Sequence, residues 1–260
     1  MVSAPVALVT GGSGGLAPAI AAALANAGHS IVLTARRAER LRAVANDLSA
    51  RTTAAIEIEP SDVTDAASVK ACVEAVLSRF GRIDVLVNAA ASSTPIGGAI
   101  EAIDVDALTG DFDTKVGGYL RFSQAVAPAM KRQGNGRIVH IGGLTGRSSD
   151  TLSGLRNAAV SHLTKVLSDQ LGTSGITVNA VHPGIVRTPH LNELFDDMAR
   201  KEGSSATAIE ARFRADIPTG RLLVPAEIGD AVVFLASAAA ASITGQSITI
   251  DGGYSRGIYL

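Results

Sequence analysis

The stretch PVALVTGGSGGLA (residues 5–17) joins a short apolar run to a glycine-rich turn, and an alanine-rich segment with helical spacing follows it. Glycines let the backbone turn tightly and bring its amide groups close to an anion at the start of a helix. A glycine-rich stretch alone is a weak signal, but here a predicted strand precedes it and a predicted helix follows it. The stretch therefore predicts a strand–turn–helix unit that binds a dinucleotide.

The same alternation continues along the 260 residues. Segments with helical apolar spacing separate further apolar runs, so that such runs lie at 5–10, 30–35, 54–59, 83–89, 137–142, 176–181 and 246–251. Parallel strands need crossover connections, which helices provide. We therefore expect a single domain over residues 1–260 of the α/β class, with a doubly wound Rossmann-type parallel sheet of about seven strands and helices on both faces.

One charged segment, residues 190–220, interrupts this alternation and carries two short amphipathic pieces around a Gly-Ser-Ser turn. An insertion of this kind, placed after the sixth predicted strand, is typical of a lid over a substrate site. We expect residues 190–220 to be such a lid and not a separate domain.

The composition excludes several classes of partner. A formal net charge of −1 gives no basis for nucleic acid or an anionic membrane as partner. Cys72 is the only cysteine, so it cannot form an internal disulfide, and its neighbours lack metal-ligand spacing. We expect a buried apolar role for Cys72 and no metal.

The first residues resemble no signal peptide, and no apolar run reaches the ~18 residues that span a bilayer. These features predict a cytoplasmic protein.

The second predicted strand ends in Thr34-Ala35-Arg36-Arg37. A carboxylate here would accept hydrogen bonds from a ribose diol, whereas arginines offer planar donors for a 2′-phosphate. This favours NADP as cofactor, with NAD still possible. The alternative is that Arg36 and Arg37 only begin a solvated helix.

Five motifs in order make the chain similar to the short-chain dehydrogenase/reductase family over essentially its whole length. They are TGGSGGLA (10–17), with Ala17 at the family's last glycine, SDV (61–63), VNAAA (87–91), HPGIVRTP (182–189) and ITGQSITIDGGYS (243–255). The resemblance implies cofactor-binding roles for Gly11, Ser13, Gly14, Gly15, Leu16, Arg36, Arg37, Asp62, Val63, Asn88, Ala89, Ala90, Pro183, Gly184, Val186 and Thr188. It also implies hydride transfer between a nicotinamide and a small carbonyl or alcohol substrate, and a homo-oligomer, either tetramer or dimer.

The catalytic positions depart from the family pattern. The family's serine corresponds to Gly143, and its Tyr-x-x-x-Lys motif corresponds to Ser153 and Asn157. In FDTKVGGYLRFSQA (112–125) the family's active-site asparagine corresponds to Lys115, so asparagine and lysine are exchanged, as in polyketide-synthase ketoreductase domains. We predict Lys115, Ser153 and Asn157 as catalytic residues.

A proton donor for the carbonyl oxygen is the open question, because a serine alcohol is a far weaker acid than a tyrosine phenol. A water between Ser153, Lys115 and substrate would relay the proton. Thr145 is the nearest hydroxyl that could replace the missing serine, although a turn residue is its usual interpretation. Tyr119, one helical turn beyond Lys115, is expected to be a packing residue.

Other polar side chains leave alternatives open. His140 is expected to be a core residue of a strand, and His162 a surface or interface residue. Residues 92–99, 144–152 and the predicted lid would determine the substrate. Three arginines near these segments either attract an anionic substrate or form salt bridges: Arg147, Arg156 and Arg187.

Two functions fit these residues. The first is an oxidoreductase of the short-chain family with an atypical acid/base site. The second is a non-catalytic dinucleotide-binding protein on the same fold, either a sensor or a partner of an active relative. It is motivated by the absence of both catalytic hydroxyls of the family, those of the serine at position 143 and the tyrosine at position 153.

Overall fold

A single parallel sheet forms the centre of the molecule. The computed structural model describes residues 4–92, 96–97, 99–147 and 151–257. Its strands are β1 (Val6–Thr10), β2 (Ser30–Thr34), β3 (Ile56–Ile58), β4 (Val85–Asn88), β5 (Gly136–Ile141), β6 (Ile176–Pro183) and β7 (Ser247–Ile250). They are hydrogen-bonded in the order β3-β2-β1-β4-β5-β6-β7, and every neighbouring pair is parallel. Each predicted apolar run overlaps one strand, with β5 beginning one residue before its run and β6 ending two residues after its run, so the predicted fold class is confirmed.

Helices connect the strands. They are α1 (Ala17–Asn26), α2 (Ala38–Ser49), α3 (Ala66–Phe80), α4 (Val105–Phe112), α5 (Gly118–Gln133), α6 (Gly154–Leu171), α7 (Pro189–Glu202), α8 (Ala206–Ala215) and α9 (Pro225–Ala236). A π-helical turn over Asp113–Gly117 links α4 directly to α5. Asp65 and Asp104 begin α3 and α4 by accepting hydrogen bonds from amides of the first turn.

Both faces of the sheet are buried. Ala7 and Val9 of β1 pack into one apolar cluster with α1 and α9, whereas Val6 and Leu8 pack into a second cluster with α3 and α5 on the opposite face. Successive side chains of a strand point to opposite faces, and here each face is covered by helices. This explains why the strands read as continuous apolar runs.

The charged segment 190–220 forms helices α7 and α8, with Gly203 in the left-handed conformation between them (φ 64°). Their apolar side chains pack in a small cluster of their own, which includes Phe195, Ile209 and Ile217. The segment therefore has a local core, separate from the two clusters on the sheet. Its function as a lid stays a prediction, and so does the assignment of residues 1–260 to one domain.

Cys72 on α3 is 1% exposed, and its burial raises the pKa of the thiol to about 12. The prediction of a buried apolar role is confirmed. His162 on α6 is exposed. Of the helices in the described ranges, none is long and apolar enough to cross a membrane.

Candidate active site

The glycine-rich turn after β1 lies against the end of β4. Gly11 has φ 69°, and a Cβ there would lie 2.9 Å from the carbonyl oxygen of Ala89, so only glycine allows this approach. Leu16 precedes α1 without giving it a side-chain cap, which leaves the first amides of the helix without a side-chain acceptor. Uncapped amides at a helix start bind anions well.

A cavity of about 430 Å³ opens beside this turn. Its lining residues are Gly11, Ser13, Gly14, Gly15, Ala35, Arg36, Arg37, Arg40, Ser61, Asp62, Val63, Thr64, Ala89, Ala90, Ala91, Ser92 and Thr114. The carboxyl ends of β1, β2 and β4 and the loop after β3 thus surround one space, which is where such sheets bind nucleotides. Among the predicted cofactor residues, Leu16, Asn88, Pro183, Gly184, Val186 and Thr188 do not line it.

Three arginines, Arg36, Arg37 and Arg40, line this cavity and are exposed. None of the ion pairs found in the described ranges involves them. Asp62, an acidic residue that lines the cavity, accepts hydrogen bonds from the backbone amide and the hydroxyl of Thr64. The hydrogen bond from the Thr64 amide is the main cause that lowers the pKa of the Asp62 carboxyl. The residues present therefore fit a nucleotide with a phosphate near the arginines. Arg40 was missed, although it lies three residues after Arg37 on the first turn of α2.

Asn88 lies beneath the cavity and not in it. It is fully buried, and its amide nitrogen donates to the carbonyl of Tyr119 and the hydroxyl of Ser123, each at 3.4 Å. These contacts join β4 to α5. Asn88 thereby supports the loop at Ala89 and Ala90, whose amides donate to the hydroxyl of Thr10 at 3.0 and 3.2 Å.

The loop after β6 is held by Leu223. Ile185 and Arg187 exchange backbone hydrogen bonds with Leu223, so the backbone groups of Val186 between them point the opposite way. The hydroxyl of Thr188 accepts from the amide of Leu191 at 3.3 Å and begins α7. The cofactor-binding roles of Val186 and Thr188 stay predictions.

Lys115 and Asn157 meet beneath the carboxyl end of β5. Lys115 Nζ donates to Asn157 Oδ1 at 2.8 Å and to the carbonyl of Gly142 at 3.0 Å. Both residues are 4% exposed. Lys115 lies on the π-helical turn between α4 and α5, a feature frequent at functional sites. The two exchanged residues are therefore in direct contact.

The ammonium group of Lys115 is in an unusual environment. The pKa of Lys115 is lowered from 10.5 to about 7, chiefly by burial and also by the positive charge of Arg156, while the negative charge of Asp111 opposes the decrease. An amine with a pKa near neutrality both holds and releases a proton at physiological pH.

The other end of the Asn157 carboxamide points at position 143. Asn157 Nδ2 donates to Thr145 Oγ1 at 2.7 Å, and a Cβ added at Gly143 would lie 2.8 Å from that nitrogen. The amide therefore fills the space that a side chain at 143 would occupy. The sequence showed only that the family's serine is missing at position 143. It could not show the contact with the Asn157 amide, because position 143 follows β5 whereas Asn157 lies on α6.

Ser153 immediately precedes α6 and is 5% exposed. Its Oγ accepts a hydrogen bond from the amide of Ile96 at 3.0 Å, and within the described ranges it has none to Lys115 or Asn157. Ser153 thus holds part of the predicted substrate loop 92–99. Of the predicted substrate loops, residues 93–95, 98 and 148–150 and the side chain of Arg147 lie outside the described residues.

Arg156 and Arg187 form salt bridges. Arg156 on α6 pairs with Asp111 on α4, their side chains are 13% and 4% exposed, and Arg156 also donates to the carbonyl of Ser92 at 3.3 Å. Arg187 pairs with Glu210 at 2.5 Å. The salt-bridge alternative is therefore confirmed for both, and for Arg156 the bridge is buried, which the sequence did not predict.

Tyr119 and His140 are core residues. The Tyr119 hydroxyl donates to the carbonyl of Ile141 at 2.9 Å, and burial raises the pKa of this phenol. His140 Nδ1 lies 3.0 Å from Thr164 Oγ1, and burial lowers the pKa of the ring to about 3. Both are 1% exposed or less, so the packing roles predicted for them are confirmed.

Comparison with known proteins agrees with this geometry. A family model described as enoyl-(acyl carrier protein) reductase matches residues 11–255. The "monensin polyketide synthase putative ketoacyl reductase" of Streptomyces virginiae is 38% identical over 260 residues, covering 95% of this chain and 96% of the relative. The 3-oxoacyl-(acyl-carrier-protein) reductase of Escherichia coli is 32% identical over 251 residues, covering 95% and 96%.

A solved structure of actinorhodin polyketide ketoreductase with NADPH has a TM-score of 0.89 and 32% sequence identity, covering 98% of this chain and all of the other. The fold, the glycine-rich turn and the site at the carboxyl edge of the sheet all belong to one family. The chain is a member of the short-chain dehydrogenase/reductase family of NAD(P)-dependent oxidoreductases.

Proposed function

We propose that this protein is an NADPH-dependent reductase of ketones and that Lys115 supplies the proton. The contact between Lys115 and Asn157 carries the proposal, because it holds a buried amine at the edge of the sheet where family members bind substrate. The named relatives above, which are reductases of ketoacyl groups, support a β-ketoacyl compound as the substrate class.

NADPH is favoured over NADH by charge. Arg36, Arg37 and Arg40 line the cavity and form no salt bridge in the described ranges, although the charge of Arg36 acts on Asp62, and a 2′-phosphate is the part of the cofactor that arginines recognise. The uncapped start of α1 suits the pyrophosphate. When bound, the reduced nicotinamide supplies a hydride to the carbonyl carbon.

Lys115 is suited to the proton transfer that completes the reduction. Its ammonium loses a proton, the carbonyl oxygen gains that proton as the alcohol forms, and solvent then reprotonates the amine. Because Lys115 is 4% exposed, we propose that a water beside Ser153 relays the proton. The hydroxyl of Ser153 can take part, since its oxygen accepts from Ile96 and its own hydrogen has no acceptor among the described residues.

The exposed apolar residues of α6 bear on the assembly of the protein. We propose a cytoplasmic homodimer or homotetramer that contacts its partner copy through α6, because Leu155 and Val166 on this helix are 51% and 37% exposed. A monomer in light scattering would contradict the assembly.

The test is steady-state turnover with NADPH and a panel that contains a β-ketoacyl thioester, a cyclic ketone and a simple aliphatic ketone. We expect the β-ketoacyl thioester to be reduced and the variant Lys115→Met to lose about a hundredfold or more in kcat. Lys70→Met is the matched control, because Lys70 lies exposed on α3 and should retain wild-type kcat.

NADPH fluorescence gives a second readout that does not depend on turnover. Binding with no turnover of any ketone would contradict the proposal and favour the non-catalytic alternative. Turnover that persists in Lys115→Met would support the reductase activity but would contradict the role of Lys115 as proton donor.

A further inference from the structure

Three polar groups converge at the carboxyl end of β5: Lys115 Nζ, the carboxamide of Asn157 and the hydroxyl of Thr145. Lys115 donates to Asn157 Oδ1 at 2.8 Å, and Asn157 Nδ2 donates to Thr145 Oγ1 at 2.7 Å. The groups form one chain in which each donor faces the next acceptor.

The direction of this chain is fixed by Lys115. An ammonium group has three hydrogens and no acceptor, so the atom of Asn157 that faces it must be the carbonyl oxygen. The amide nitrogen of Asn157 must then face Thr145. The threonine oxygen accepts this hydrogen bond, and within the described ranges the hydrogen of its hydroxyl is donated to no protein group.

Gly143 creates the space for this arrangement. A Cβ at 143 would lie 2.8 Å from Asn157 Nδ2, which is closer than van der Waals contact allows. Thr145 is half-buried and follows the strand end by four residues, on a short 3₁₀ turn over Leu144–Arg147. The hydroxyl of Thr145 and the amide of Asn157 therefore lie side by side beyond the carboxyl end of β5, with the amide buried.

We infer that the Thr145 hydroxyl and the Asn157 amide together bind the carbonyl oxygen of the substrate and stabilise the negative charge that develops on it. A carbonyl that accepts hydride gains charge on oxygen, and preorganised donors at that oxygen are a large source of rate enhancement. Thr145 is thus a catalytic residue, and Gly143 is a positioning residue that leaves room for the amide. This inference rests on the proposed ketone reduction.

The test compares Thr145→Val with Thr145→Ser. Valine keeps the shape and removes the hydroxyl, and serine keeps the hydroxyl. We expect kcat of Thr145→Val to fall about a hundredfold or more with a smaller change in KM, because the hydrogen bond strengthens in the transition state. Thr145→Ser should stay within about tenfold of wild type. Thr109→Val on α4, an exposed threonine, is the control and should retain wild-type kcat.

A second variant tests the geometry. Gly143→Ala should displace the Asn157 amide and lower kcat about tenfold or more, whereas the dissociation constant of NADPH stays within about threefold in all variants. If Thr145→Val does not fold by circular dichroism, Thr145→Ala replaces it in the comparison.

The inference is overturned if Thr145→Val keeps kcat within about threefold of wild type, or if Thr145→Ser is impaired as severely as Thr145→Val. Either result leaves the proposed function intact. A wild-type protein that binds NADPH but reduces no ketone would overturn the proposed function, and this inference with it.

Discussion

Replacing Lys115 with methionine should change the stability of the protein in a way that depends on pH. Methionine is an unbranched apolar side chain, so Lys115→Met removes the charge from a site that is 4% exposed. The cost of that charge depends on the pKa of Lys115, which the fold lowers from 10.5 to about 7.

The direction of the pH dependence of the free energy of unfolding is set by whether the folded or the unfolded chain binds more protons. Below pH 7 Lys115 is protonated in both the folded and the unfolded chain, so the folded state carries the full cost of a buried ammonium. Between pH 7 and about 10.5 the unfolded chain keeps the proton and the folded chain releases it, so the free energy of unfolding rises with pH. Lys115→Met lacks this dependence.

The size follows from the two pKa values. From pH 6 to pH 9 the free energy of unfolding of the wild-type protein should rise relative to Lys115→Met by on the order of 2–3 kcal/mol. The free energy of unfolding of Lys115→Met, relative to that of the wild type, should therefore be highest at pH 6 and fall towards pH 9. Other titrating groups are common to both proteins and cancel in the difference.

Urea denaturation followed by circular dichroism at several pH values between about 6 and 9 measures this difference. Lys70→Met, at an exposed site on α3, should run parallel to the wild type throughout. Parallel curves for Lys115→Met and wild type would refute the reasoning, because they would mean that the folded state leaves the pKa of Lys115 at its ordinary value.

Other variants test the remaining parts of the site. Removing two of the three cavity arginines, Arg36→Ala with Arg37→Ala, should raise the dissociation constant of NADPH about tenfold or more and leave that of NADH nearly unchanged, as measured by cofactor fluorescence. Tyr119→Phe removes a buried hydrogen bond to a β5 carbonyl and should cost about 1–2 kcal/mol in urea denaturation, yet leave kcat within about threefold, which a proton-donating tyrosine would not allow. Arg156→Met should raise the pKa of Lys115, because the Arg156 charge is one of the causes that lower it, and should move the pH dependence of kcat to higher pH.

The sheet could be predicted from sequence because its signal is local. The central strands are buried on both faces by helices and the edge strands β3 and β7 are partly buried, so each appears as an apolar run bounded by polar or glycine residues. The glycine-rich turn was also predictable, since a glycine-rich stretch between a strand and a helix is a local pattern, although the approach to Ala89 after β4 that requires Gly11 is a tertiary contact. The predicted lid segment appeared as a charged interruption and forms two helices.

The polar contacts of the site could be predicted only in part. Alignment with the family indicated that Lys115 and Asn157 exchange identities, but it could not give the chain of hydrogen bonds through Thr145. The pairing of Arg156 with Asp111 joins α6 to α4, and no spacing along the chain indicates it. Contacts of this kind depend on tertiary packing, which a single sequence reports weakly.

Gly143 illustrates the difference. In the sequence it is a lost serine, whereas in the structure it provides the space that the Asn157 amide occupies. The departure from the family pattern at position 143 and the exchange at position 157 are therefore one structural feature. A substitution that restores serine at 143 alone would conflict with the amide and would not rebuild the family's arrangement.

The central claim is that a buried lysine, and not a tyrosine, supplies the proton. The most direct measurement is the pH dependence of kcat/KM for ketone reduction by the wild-type protein and by Lys115→Met, between pH 5.5 and about 9.5. We predict that the wild-type value falls about tenfold per pH unit above an apparent pKa near 7, and that this decline is absent from the residual activity of the variant. A wild-type profile that stays flat to pH 9.5, or the same decline in Lys115→Met, would contradict the claim.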